Sequence, residues 1–134
     1  MTVKYLLIMN TPKGNGKYQI DTWAETDLKA HLQFLADFNK RLKESGEFAG
    51  VQGLTSPGQA KLVRANSDGT PNTDGVFPES KEFLAGYWIV DVESEQRAIE
   101  IAAEASSAPG PGGRPLSMPI EVRQVMSNMP GEDA

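Results

Sequence analysis

An α+β sandwich in the order β-α-β-β-(hairpin)-β-α-β, one sheet with two helices, is the fold this sequence predicts. Three observations carry it: short β-prone apolar runs at residues 3–9 and 83–92, a long helical pattern between them, and a second helical pattern directly after the second run. At 134 residues the chain has room for one domain with a single core. That domain is expected over residues 1–126, with 127–134 as a flexible polar C-terminal tail.

The first strand, residues 3–9, is stopped by the Asn-, Gly- and Pro-rich run that starts at Asn10. Thr22 and Glu25 have the spacing of a capping box, so a helix is predicted over 23–45. Leu28, Leu32, Leu35, Phe38 and Leu42 give it an apolar stripe, and Gly46 supplies a left-handed cap. Residues 47–54 and 59–66 read as two strands joined by a turn at Pro57-Gly58, which makes them an antiparallel pair. The polar stretch 66–74, with Asp68-Gly69 as a turn signal, predicts a small hairpin before the strand 83–92. Ser94 then caps a helix whose Ala98, Ile99, Ala102 and Ala103 form a narrow stripe of small residues. Residues 106–119 are too rich in Pro and Gly for regular structure, and 120–126 close the domain as a last strand.

Helices interleaved with strands in this order describe a sandwich of the ferredoxin-like kind with an inserted hairpin. Two helices cover one sheet face and no third exists for the other, so a homodimer packed sheet to sheet is predicted. The balance of 18 acidic against 13 basic residues, a net charge of -5 with no basic run, argues against nucleic acid and against an anionic membrane surface. The longest apolar run is too short to span a bilayer and no leader pattern follows it, so a cytoplasmic protein is expected. Absence of cysteine excludes disulfides, thiol nucleophiles and Cys-ligated zinc. With a single histidine and no HxxE or HxH spacing, neither a metal nor a cofactor is expected, and the glycines at 110–113 lack the setting of a phosphate loop.

Asp74-Gly75-Val76-Phe77, followed by Glu79, Lys81-Glu82, Gly86-Tyr87 and Asp91, resembles the DGPF signature of the YCII-related proteins. Further matches are the opening Lys4-Tyr5-Leu6-Leu7-Ile8 strand, a His in the first helix, Gly53-Leu54 with Pro57, and a closing Glu121-Val122-Arg123. Val76 stands where the signature has Pro, which restores a backbone donor there. The resemblance implies a dimeric α/β barrel built from two such subunits. It also implies acid/base chemistry through a His and an Asp.

His31 projects from the apolar stripe of the first helix, a position that suits a core imidazole and a catalytic one alike. Were Asp74 to approach it, the carboxylate would orient the ring and raise its proton affinity. Phe77, Glu79 and Lys81, on the loop that would roof the pocket, and Arg123 are the candidate substrate-binding residues, and Arg64 and Arg114 are two further cations able to clamp a carboxylate. Three functions follow: a small cofactor-independent enzyme with His31 as general base and Asp74 as its partner, a non-catalytic binding or regulatory module that holds a small molecule in the same pocket or docks on another protein, or a purely structural dimer.

Overall fold

The computed structural model describes residues 1–12, 20–55, 59–73 and 82–127. Four strands form an antiparallel sheet in the order β2-β5-β1-β6, where β1 is Val3–Pro12, β2 Phe48–Gly53, β5 Glu82–Val92 and β6 Ile120–Gln124. Helix α1, Glu25–Ser45, connects β1 to β2, and α2, Glu95–Ser106, lies between β5 and β6. This arrangement is compatible with the predicted ferredoxin-like fold. No helix among the described residues is long and apolar enough to cross a membrane.

Strand alternation sorts the side chains. Tyr5 and Leu7 of β1 and Trp88, Val90 and Val92 of β5 are buried in one cluster with Phe38 and Leu42 of α1 and Ala98, Ile101, Ala102 and Ala105 of α2. Phe38 is fully buried, stacks on Phe34 and meets the Trp88 ring edge-on at 5.3 Å. The Trp88 indole N–H, which burial would otherwise leave unpaired, donates to Asn39 Oδ1 at 2.8 Å. The intervening residues Leu6, Ile8, Tyr87 and Ile89 lie on the opposite face, which neither α1 nor α2 covers, free of helix among the described residues, and are half-buried.

Several elements differ from expectation. Helix α1 starts at Glu25, not Trp23: Ala24 occupies the N-cap position and contributes no side-chain cap, while Thr22 ends a single 3-10 turn, Ile20–Thr22. Leu32 is 51% exposed, because the face of α1 that meets the sheet is centred on His31, Phe38 and Leu42. The buried stripe of α2 runs Ala98, Ile101, Ala102, Ala105, spaced three, four and seven, so Ile99 is left 45% exposed and Ala103 faces solvent. The predicted pairing of 47–54 with 59–66 is not made. β2 pairs with β5, and Arg64–Ala65 (β3) pairs with Pro71–Asn72 (β4). The reason is local: Asn66 N bonds to Thr70 O, and the Asp68 carboxylate takes both the amide and the hydroxyl of Thr70, closing a private hairpin around Asp68-Gly69. Those bonds, the Thr70 hydroxyl first, hold the Asp68 carboxyl below its ordinary range. Residues 59–61 and 63 are exposed, so this segment had little apolar burial to gain from the large sheet.

Gly46, at φ +80°, caps α1 as predicted, and Ser94 accepts from the Arg97 amide at 3.1 Å to cap α2. Residues 107–119, expected to be irregular, are closely tied. Gly110 N bonds to Arg114 O at 2.7 Å, Leu116 N to Ala108 O at 2.8 Å and Ser117 N to Ser106 O at 2.9 Å, while Pro109 and Pro115 form an isolated bridge around the 3-10 turn Pro111–Gly113.

A candidate acid/base site at one end of the sheet

Connectivity gathers several chain segments at one end of the sheet. There β1 finishes opposite the start of β5, β6 enters at Ile120 opposite Met9, β2 leaves at Gly53 opposite Gly86, α1 begins and α2 ends. His31 sits on the second turn of α1 at this end and is 8% exposed, the one buried polar residue among those described. The sequence placed it on the inward stripe, and it is there.

Its surroundings fix the ring. Nδ1 lies 2.9 Å from the carbonyl oxygen of Pro109, in the tied loop after α2, and Trp23 meets the ring edge-on at 5.1 Å and 87°. A carbonyl can only accept, so Nδ1 carries the hydrogen, and in the neutral ring the lone pair falls on Nε2. Among the described residues Nε2 has no hydrogen-bond partner. Helix, indole and carbonyl therefore hold an imidazole whose basic nitrogen has no partner among the described residues.

Pro109 was not foreseen. The carbonyl orients the ring at Nδ1, and the only sequence signal for it is that 106–119 holds four prolines and three glycines without a function of its own; the orienting role expected of Asp74 falls on a residue outside those described. Asp74, Phe77, Glu79 and Lys81 lie outside the described residues. Arg123 is not brought to His31: on β6 it stands opposite Leu6, on the helix-free face, exposed and 3.4 Å from Glu121. Arg64 belongs to the β3–β4 hairpin, and Arg114 to the same loop as Pro109. No group of three or more potential metal ligands occurs among the described residues.

A four-stranded α+β domain with a buried, carbonyl-oriented imidazole at one sheet end is the class of protein these features define. The chain belongs to the YCII-related domain family, which it matches over residues 5–110. It is also similar to an uncharacterised protein of Rhizobium meliloti (strain 1021), 26% identical over 118 residues that cover 88% of this chain and 91% of that protein.

Proposed function

We propose that the protein is a small, cofactor-independent acid/base catalyst acting as a cytoplasmic homodimer, with Nε2 of His31 taking a proton from a small organic substrate. The observation that carries this reading is the 2.9 Å contact of Nδ1 with the Pro109 carbonyl, which sets the tautomer a general base needs. In this reading the Pro109 carbonyl also stabilises the imidazolium formed on proton transfer, since its oxygen faces the nitrogen that shares the new charge. Asp74 supplies the second polar group, and Phe77, Glu79 and Lys81 shape the substrate side; their place in the signature that Asp74-Gly75 opens supports those roles. The half-buried Leu6, Ile8, Tyr87 and Ile89, bordered by Lys4, Asp91, Glu121 and Arg123 on the same face, support the dimer, with Arg123 serving that interface or a substrate arriving at it.

A single histidine makes the test direct. Long-range proton–nitrogen NMR on the full chain is expected to find the Nδ1–H tautomer, and small-molecule mixtures that bind are expected to move the Nε2 resonance. An Nε2–H tautomer would end the catalytic reading. The alternative, a non-catalytic binding module, is favoured by the small exposure of His31 and its contact with Trp23. The His31→Asn variant separates the two: its amide keeps a donor near the Nδ1 position, so a binding module retains its ligand while a catalyst loses turnover.

A further inference from the structure

The loop that holds His31 also carries an arginine with no described partner. Pro109 and Pro115 bridge, Gly110 N bonds to Arg114 O at 2.7 Å, and Gly113 N bonds to Gly110 O at 2.9 Å, so the backbone of Arg114 is stitched to the residue next to the carbonyl on Nδ1. The turn between them packs beside α1, the helix of His31. Three of the five arginines are ion-paired, Arg41 with Glu104, Arg97 with Glu47 and Glu100, and Arg123 with Glu121. Arg114 is exposed, and among the described residues no carboxylate lies within ion-pair distance of it. Its own segment, residues 106–119, contains no acidic side chain.

We propose that Arg114 binds the carboxylate of an anionic substrate, holding a small organic acid with its reacting carbon turned to Nε2 of His31. This rests on the reading of His31 given above and adds the substrate class. A guanidinium offers a carboxylate two parallel N–H donors, which fixes orientation as well as position. A loop tied at both ends by backbone bonds leaves little backbone to order on binding, so the remaining cost is the rotamer freedom of the Arg114 side chain itself. The net charge of -5 opposes an approaching acid only weakly, since charges beyond about 8 Å are screened at physiological salt. The local cation therefore decides.

The test uses the full-length protein and a panel of small aliphatic and aromatic monocarboxylic acids, each beside its methyl ester, titrated while the amides of 110–116 and the His31 ring are followed by NMR. At least one acid is expected to bind about tenfold or more tighter than its ester, with Arg114→Gln removing most of that preference and Arg114→Lys keeping part of it. Equal binding of acids and esters, a preference that survives Arg114→Gln, or no binding at millimolar concentration overturns the proposal. The two readings fail separately. Arg114-dependent binding that leaves the imidazole unmoved upholds the carboxylate site and removes the catalytic role of His31, whereas neutral ligands that move the imidazole independently of Arg114 do the reverse.

Discussion

The two ends of the sheet are built on opposite principles. At the end where α1 finishes and α2 begins, Glu47 is the node. Its carboxylate receives Arg97 through two nitrogens at 2.8 and 2.9 Å and the Ser45 hydroxyl at 2.8 Å, its amide bonds to Leu42 O, and its carbonyl accepts from Asp91 N. The polar groups gathered on Glu47 answer one another within the same end. At the His31 end the ties are mostly backbone, and the side chains keep capacity in reserve: Nε2 of His31 and the guanidinium of Arg114 have no partner among the described residues. Saturation suits a structural joint, and unused capacity held on a tied scaffold is what the site proposed above requires.

The largest effect is expected at the His31 end from backbone crowding. A Cβ on Gly86 would lie 2.6 Å from the Gln52 carbonyl oxygen, 2.8 Å from Met9 Cε and 3.2 Å from Gly53 Cα, so β2 and β5 can approach only because that atom is missing. Gly86→Ala should cost about 3 kcal/mol and lower the thermal midpoint by about 10 °C. Gly53→Ala, with nothing within 4 Å of its new Cβ, is the control and should change stability by less than about 0.5 kcal/mol. Equal losses in both would mean that strand propensity, not close approach, governs this end. Next in size is His31→Leu, which leaves the Pro109 carbonyl without its donor and should cost about 2 kcal/mol in urea denaturation, against about half that for His31→Asn.

At the saturated end the effect is smaller and depends on pH. The Arg97 guanidinium, with help from Ser45, holds the Glu47 carboxyl below its ordinary 4.5 despite the opposing pull of burial. A carboxyl whose value is depressed by folding stabilises the native state fully above its unfolded value, and that contribution fades as pH falls below 4.5 through the folded value. Arg97 is 41% exposed, so water screens the pair and Glu47→Gln should cost only about 1 kcal/mol at neutral pH. Stability curves for the variant and the parent are expected to converge on acidification. A constant gap down to strongly acidic pH would assign the loss to packing.

The sequence made the core of this picture legible where periodicity was strong. His31, Phe38 and Leu42 fell on the correct side of α1, Ser94 and Gly46 capped as expected, and the strand beginning near residue 83 lies in the centre of the sheet. Legibility failed where two patterns competed. Both Leu32 and His31 continue a three-four spacing through Leu35, and hydrophobicity favours Leu, yet packing chose the imidazole face. Ile99 and Ile101 posed the same choice in α2. The partner of His31 was invisible for a different reason: the atom that orients it is a backbone oxygen, which every residue possesses, and only the fold of 107–117 brings the one at Pro109 to the ring.

That loop contains the smallest effect worth measuring. Ser117 stands at φ +53°, the left-handed region that a non-glycine residue enters at a cost of about 1 kcal/mol, and it is kept there by its amide bond to Ser106 O and by the Ser106 hydroxyl on Met118 O at 2.7 Å. Ser117→Gly relieves that strain but gives the unfolded chain more freedom, so the two effects nearly cancel and a gain of no more than about 0.5 kcal/mol is expected. Ser117→Val has no such compensation and should lose about 1 to 2 kcal/mol. If the loop is the scaffold of the site, the valine variant also disturbs the Nδ1 contact, and the His31 ring resonances shift although the substitution lies on the loop after α2 and not on α1. Unmoved imidazole signals in a destabilised Ser117→Val protein would mean that the loop anchors α2 and β6 while His31 is held by α1 and Trp23 alone.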